Sequence, residues 1–239
     1  MRLIFFLLMA AWSVSADVPG KVFNRFITIW LENQVRRCRP FHLRASLISQ
    51  DFSKVSANSD MADLAEQGIL LTEYFGLTHP SQPNYIASVG GDYFGLNNDD
   101  FVRIPENVST LVDLFDTKGI SWRGYFEAIP GPGYMGAIRR GRGGHNYVRK
   151  HNPFVSYDSI NHNGSRLSNI LAFTDFQHDL ESSSLPQYAH MSPDMQNDGH
   201  DTSLEFAATW VKDFLTPLLL NDYFMENTLV LLTYDESET

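Results

Sequence analysis

One serine of the chain stands where a nucleophile would be expected. Ser81 lies in the run Thr78-His79-Pro80-Ser81-Gln82-Pro83-Asn84-Tyr85, between an apolar segment and a segment with helical spacing. A hydroxyl at the start of a helix faces backbone N–H groups and the positive end of the helix dipole, and both favour a phosphate. Asn84, one turn later, could donate to a phosphoryl oxygen. The ordinary alternative for Ser81 is a helix N-cap, and Thr78 is the competing hydroxyl.

Two polar pairs each follow an apolar run typical of a strand. Glu32-Asn33 ends the run from Phe23 to Leu31, and Asp235-Glu236 ends the run from Thr228 to Tyr234. Carboxylate and amide oxygens suit a hard divalent cation, which can activate a nucleophile and bear phosphoryl charge. Neighbouring side chains on a strand point to opposite faces, so both reach one ion only where the strand has ended. The alternatives are an N-cap or turn pair for Glu32-Asn33 and an exposed acidic terminus for Asp235-Glu236.

A third polar cluster surrounds a glycine near residue 199. Asp198, His200 and Asp201 lie within four residues in Ser192-Pro-Asp-Met-Gln-Asn-Asp-Gly-His-Asp-Thr202. They are candidate ligands and proton carriers, or an Asx-rich turn in which Asp201 or Thr202 caps the next helix.

Histidine supplies one further candidate. His151, in Lys150-His-Asn-Pro-Phe154, could bind phosphate as a cation or protonate a leaving alcohol. Taken alone, it would be an ordinary loop residue. Five other histidines are predicted to be surface or structural residues: His42, His145, His162, His178 and His190.

The elements that must position these residues alternate along the chain. Periodicity predicts strands over Phe23–Leu31, Ile69–Phe75, Ile120–Phe126 and Thr228–Tyr234, and helices over Asp60–Gln67, Ser109–Phe115 and Leu204–Leu220, with another beginning at Tyr85. This alternation predicts one α/β domain, a three-layer sandwich around a largely parallel sheet. Sites in such sheets form at the carboxyl ends of strands, where the two polar pairs and the loop after Phe75 lie.

Residues 1–16 have the pattern of a secretory signal peptide. Arg2 precedes the apolar run from Leu3 to Trp12, and small residues precede a predicted cleavage after Ala16. The run is shorter than the roughly 20 residues of a membrane span, and it has no polar face that would suit a buried helix. We therefore expect an exported product, extracellular or associated with the cell wall, without stable membrane insertion.

Composition narrows the range of partners. The chain has 18 lysines and arginines against 28 acidic residues, a formal net charge of −10, which argues against nucleic acid. The single cysteine, Cys38, allows no internal disulfide, so the protein depends on its hydrophobic core. The sequons at Asn107 and Asn163 would be glycosylated surface loops on an export route.

The segment from Thr78 to Tyr93 resembles the signature of the phosphoesterase family that includes fungal secreted acid phosphatases and bacterial phospholipases C. The spacing from Ser81 to Gly91 is also similar to the nucleophile segment of nucleotide pyrophosphatases in the alkaline phosphatase superfamily. The resemblance covers Phe23 to Thr239 with one interruption. It implies an alkaline phosphatase-like domain over residues 17–239 that hydrolyses phosphate monoesters.

The same resemblance implies roles for the candidate residues. Ser81 would be the nucleophile, and a divalent metal ion of unspecified identity would be held by Glu32, Asn33, Asp235 and Glu236. His151 and His200 would bind phosphoryl oxygens or move protons, and Asn84 and Asp198 would contact substrate. The expected partner is a phosphate ester, and the oligomeric state stays open. Two alternatives are a phosphodiesterase of the phospholipase C type acting on phospholipids, and a non-catalytic secreted fragment.

The chain departs from the family pattern in two places. Relatives run from Glu-Asn-Gln almost directly into a segment like the one after Gln50, whereas here residues 35–50 intervene, with four arginines, Cys38 and no acid. The codons of this insertion can begin with GT and end with AG, which suits a retained intron. The chain also stops at Thr239, where relatives continue. We expect a domain incomplete at its C-terminus, with little or no activity in this form.

Overall fold

The computed structural model describes residues 17–32 and 48–237, with side chains described from residue 52 onward in the second range. The predicted signal peptide 1–16, Asn33, Cys38, His42 and residues 35–47 of the predicted insertion lie outside the described residues. Residues 48–50 open the first helix.

Within the described residues, one sheet has five parallel strands. Its strands in chain order are β1 (Arg25–Leu31), β2 (Trp122–Phe126), β5 (Ile170–Ala172), β6 (Tyr188–Ser192) and β7 (Thr228–Tyr234). Between β2 and β5, the short strands β3 (Ile138–Arg139) and β4 (Tyr147–Val148) form a separate antiparallel pair. The sheet order is β5-β2-β6-β1-β7. In β1 and β7, Arg25 pairs with Thr228 and Leu31 with Tyr234, so the residues that follow each strand meet at one edge.

Helices lie on both faces of the sheet. In chain order they are α1 (Ile48–Ala57), α2 (Ser59–Ala65), α3 (Ser81–Gly90), α4 (Leu111–Lys118), α5 (Asp158–Asn161), α6 (Gly164–Leu167), α7 (Phe173–Glu181), α8 (Leu204–Leu219) and α9 (Asp222–Met225). Among the residues from 17 to 32 and from 52 to 237, no helix is long and apolar enough to cross a membrane.

The core has a layer on each side of the sheet. In one cluster, Ile86 of α3 and Val112 of α4 pack with Phe126 of β2. In the other, Phe176 of α7 packs with Tyr125, the residue before Phe126 in the same strand. Successive strand residues point to opposite faces, so β2 contributes to both layers. The predicted three-layer α/β sandwich around a parallel sheet is confirmed.

Most predicted elements are confirmed with small shifts of their ends, and one shift matters for function. The helix expected from Tyr85 begins at Ser81, so the candidate serine is the first helical residue. The short strand β6 at the centre of the sheet was not predicted. All five of its residues are buried, and they include a histidine and a serine that mask the apolar pattern.

The predicted strand over Ile69–Phe75 is wrong. This segment forms no regular element and is exposed, with Ile69 at 89% and Phe75 at 68% of full accessibility. It leads to Gly76, where a Cβ would lie 2.9 Å from the carbonyl oxygen of Asp235. The segment therefore passes the end of β7 without pairing in the sheet, and its apolar composition alone was a poor guide.

Candidate active site

Ser81 lies in the first turn of α3, with 3% of its surface exposed. Its hydroxyl donates to Oε2 of Glu32 at 3.0 Å and lies 3.4 Å from Oε1 of Glu236. Pro80 is the N-cap residue of this helix, so the alternative of an N-cap serine is wrong. The hydroxyl instead faces carboxylates contributed by two strand ends.

The two acidic strand ends meet because β1 and β7 are neighbours. Glu32 and Asp235 follow the paired residues Leu31 and Tyr234, and the Asp235 N–H donates to the Leu31 carbonyl at 3.0 Å. Both side chains are almost fully buried, at 0% and 1% exposure. The predicted ligands Glu32, Asp235 and Glu236 thus lie together at one edge of the sheet, while Asn33 lies outside the described residues.

Asn84 shapes the loop that leads to Ser81. Its side-chain oxygen accepts from the N–H groups of Leu77 at 2.8 Å and Thr78 at 3.2 Å, and its amide nitrogen donates to the Thr78 carbonyl at 2.7 Å. A contact between Asn84 and a phosphoryl oxygen stays a prediction. The Thr78 hydroxyl donates weakly to the His79 carbonyl, so Ser81 is the hydroxyl that faces the acidic cluster.

His151 is buried between two carboxylates. Its Nε2 lies 2.8 Å from Oε1 of Glu32, and its Nδ1 lies 3.2 Å from Oδ2 of Asp198. The ring stacks on Tyr85 of α3 with centroids 5.1 Å apart. Burial lowers the pKa of His151 to about 4, although Asp198 opposes the shift. The distant segments that carry Glu32, His151 and Asp198 therefore meet in one place.

His200 lies at the outer side of the same cluster. Its Nδ1 is 2.9 Å from Oδ1 of Asp201, and its ring lies 6.2 Å from that of His151. Asp198 accepts from the His200 N–H at 2.8 Å while its other oxygen faces His151. Ser203 is the N-cap of α8, so the alternative in which Asp201 or Thr202 caps that helix is wrong.

Buried carboxyl groups dominate the site. Burial raises the pKa of Glu32, and it raises the pKa of Asp198 to about 7. Burial and then the charge of Asp235 raise the pKa of Glu236 to about 7. Among the described residues, no group of three or more histidine, cysteine or acidic side chains has the arrangement of a metal-binding site. The carboxylate oxygens nevertheless have the chemistry that a hard divalent cation prefers.

Three further residues that contact this cluster or act on it through their charge were not predicted. His79 Nδ1 lies 2.5 Å from Oε2 of Glu236. Tyr85 is fully buried, and burial followed by the charges of Glu32, Asp235 and Asp198 raises its pKa well above its ordinary value. Lys150 precedes His151, and its charge lowers the pKa of Glu32 against the effect of burial. All three lie within a few residues of Ser81 or His151 in the sequence, and this proximity was the only sequence feature that could have indicated them.

The remaining predicted residues lie outside the acidic cluster. His190 is fully buried in β6, where burial lowers its pKa to about 3, and His145 pairs with Asp194 at 2.7 Å. The two sequon asparagines are exposed, and Asn163 caps α6 through its side-chain oxygen. Glycosylation of both stays a prediction.

Comparison with known proteins agrees with this architecture. The phosphoesterase family model matches residues 27–239. The chain is 51% identical to a "Probable acid phosphatase" of Kluyveromyces lactis and 47% identical to a "Phosphate-repressible acid phosphatase" of Penicillium chrysogenum, each over 95% of this chain. It is also 29% identical, over 73% of the chain, to a "Phosphatidylinositol-3-phosphatase" of Mycobacterium tuberculosis.

The match to each of these proteins is partial in length. The chain spans 50%, 52% and 55% of the three relatives, respectively, or about half the length of the curated proteins it matches. The family match, by contrast, covers most of the chain, including the strand ends and the helix that carry Glu32, Ser81 and Asp235. The chain belongs to the phosphoesterase family.

Proposed function

We propose that the protein is a secreted acid phosphatase that hydrolyses phosphate monoesters with Ser81 as the nucleophile. The observation that carries this proposal is the hydrogen bond of 3.0 Å from the Ser81 hydroxyl to Glu32, formed at the start of a ten-residue helix. A carboxylate within hydrogen-bond reach can accept the hydroxyl proton, which is the arrangement of an activated nucleophile.

The reaction has two steps. Ser81 Oγ attacks phosphorus as its proton passes to Glu32, the Oγ–P bond forms, and the ester P–O bond breaks. The leaving alcohol takes a proton from His200, which is partly exposed and held by Asp201. Water then attacks phosphorus and gives one proton to His200, the Oγ–P bond breaks, and Glu32 returns its proton to Ser81 Oγ as phosphate leaves. The N–H groups at the start of α3 favour the phosphoryl oxygens.

A divalent cation is part of the proposal. Glu32, Asp235 and Glu236 would hold it, together with Asn33, because their carboxylate and amide oxygens suit a hard ion. When bound, the ion would favour the alkoxide of Ser81 and offset phosphoryl charge. His151 would steady this arrangement from behind, since it contacts both Glu32 and Asp198.

The choice of monoesters rests on the relatives. The three named above are called phosphatases, which favours monoesters over the phosphodiesters of the phospholipase C alternative. Export rests on the signal-peptide pattern of residues 1–16 and on the exposed sequons at Asn107 and Asn163.

The test compares the full chain with Ser81→Ala, using p-nitrophenyl phosphate at acidic pH with added divalent ion. We expect weak turnover in this form, and the substitution should reduce it to the rate of the reaction without protein. Thr78→Ala is the matched hydroxyl control and should keep most of the activity. Equal turnover by Ser81→Ala, or faster cleavage of bis(p-nitrophenyl) phosphate, would contradict the proposal. A parent chain that binds phosphate without turnover would support the non-catalytic alternative.

A further inference from the structure

One acidic residue, Asp99, links Lys150 to the helix that begins at Ser81. Lys150 lies in the 3-10 turn Arg149–His151, and 19% of its side chain is exposed. Its Nζ donates to Oδ2 of Asp99 at 2.9 Å. The next residue, His151, is the one that contacts Glu32 at 2.8 Å. The lysine therefore sits on the turn that completes the acidic cluster.

Asp99 also binds the start of α3. Its Oδ1 accepts the N–H of Gln82, the residue after Ser81, at 2.9 Å. The Gln82 side chain donates in turn to the Asp100 carbonyl at 2.7 Å. One carboxylate thus joins the first turn of the serine helix to the ammonium of Lys150, which fixes the position of the ammonium relative to Ser81.

The charge of Lys150 acts on the site itself. Burial lowers the pKa of Lys150, but the charges of Glu32, Asp99 and Asp235 outweigh burial and raise it. The lysine is therefore cationic at acidic and neutral pH. A phosphate monoester that approaches Glu32 and Asp235 meets strong repulsion, and a fixed ammonium beside them offsets part of it.

We propose that Lys150 binds a phosphoryl oxygen of the substrate, and that Asp99 is the positioning residue that aims it. An ammonium has three N–H donors, and Asp99 accepts one. The others have the right chemistry for an anionic oxygen at the start of α3. This assignment rests on the proposed function, because it places the phosphoryl group against Ser81.

The experiment uses the full chain and measures two quantities. One is the dissociation constant for inorganic phosphate, and the other is the separate kcat and KM for p-nitrophenyl phosphate. Lys150→Met keeps the aliphatic stem without the charge and should weaken phosphate binding and raise KM by about tenfold or more. Lys150→Arg should restore most of the binding. Lys118→Met, at the exposed end of α4, is the matched control and should change neither quantity.

Asp99→Asn tests the positioning role. The amide keeps an oxygen that can accept the Gln82 N–H but removes the charge that holds Lys150, so we expect a smaller rise in KM than with Lys150→Met and a similar melting temperature. If Asp99 had only a structural role, Asp99→Asn would change the melting temperature and leave KM unchanged.

The outcomes separate the two proposals. Unchanged phosphate binding and KM in both Lys150→Met and Asp99→Asn, with turnover still dependent on Ser81, would overturn the role of Lys150 alone. A parent chain that neither binds phosphate nor hydrolyses the ester would overturn this role and the proposed function together.

Discussion

Glu32 and Asp198 hold the imidazole of His151 from opposite sides, one carboxylate at each ring nitrogen. The three residues come from a strand end, a 3-10 turn and the loop after β6, so the ring joins three separate parts of the chain. Tyr85 covers one face of the ring. This arrangement predicts a role for His151 in stability, beside the role in activity proposed above.

Replacement of His151 by alanine should therefore affect both. We expect a loss of roughly 1–3 kcal/mol in the free energy of unfolding, because buried polar groups lose their partner. Phosphatase activity should fall further than stability explains. Urea denaturation and turnover measurements would check this, with His178→Ala as the control because the His178 side chain is 79% exposed. Equal effects of the two substitutions would contradict the assignment.

Acid should weaken the protein partly through Asp113. Burial raises the pKa of this carboxyl, but the hydrogen bonds from Thr110 and Arg166 outweigh burial and hold it below the ordinary value of 3.8. The stabilisation is therefore complete above the unfolded-state pKa and is lost as pH falls through the lower folded-state pKa.

The variant Asp113→Asn makes this dependence measurable. It should be less stable than the parent by about 1 kcal/mol near neutral pH, because it loses the ion pair and part of the helix cap. The difference should shrink as the pH falls below about 4. Urea unfolding at several pH values is the measurement, and Glu73→Gln at an exposed position is the control. A difference that is constant with pH would refute the assignment.

Replacing Gly90 by alanine should destabilise the protein, although this substitution usually stabilises a helix. Glycine-to-alanine substitution within a helix commonly gains about 1 kcal/mol. A Cβ at Gly90, however, would overlap the hydroxyl of Tyr157, which donates to the Ile86 carbonyl at 2.7 Å. We expect Gly90→Ala to lose about 1–3 kcal/mol by thermal or urea unfolding. Gly68→Ala, where nothing lies within 4 Å, should be neutral or stabilising.

Divalent cations should stabilise the folded chain through the acidic cluster. At a hundredfold excess over its dissociation constant, a bound ion adds about 2.7 kcal/mol. Melting temperatures with manganese and with a chelator would show this shift in the parent. Asp235→Asn should greatly reduce it, whereas Glu66→Gln on the exposed surface should keep it. A shift of the same size in Asp235→Asn would place the ion elsewhere.

The sequence predicted that the acidic side chains at the two strand ends would lie together. Glu32 and Asp235 follow clear apolar runs, and the carboxyl ends of adjacent parallel strands must lie together. Ser81 was predictable for a similar reason, since it precedes a segment with helical spacing. The strand-and-helix alternation was enough to predict the three layers.

Other features depend on contacts that no local pattern reveals. Lys150 and His79 lie close to His151 and Ser81 in the sequence, but the contacts of Lys150 with Asp99 and of His79 with Glu236 are formed only in the fold. The segment from Ile69 to Phe75 has the composition of a strand, but strand formation requires a neighbouring strand to pair with. β6 is the opposite case, since its neighbours β1 and β2 stabilise a run whose own pattern is weak.

The paired register of β1 and β7 limits how this chain can change length. Gaining or losing a single residue inside either strand would slide one acidic end along the other by about 3.3 Å and turn its side chain to the opposite face. Insertions and deletions should therefore be tolerated in surface loops, such as the one containing Gly131, and excluded between Arg25 and Glu32 and between Thr228 and Glu236. Ser81 would otherwise face a carboxylate from only one of the two strands.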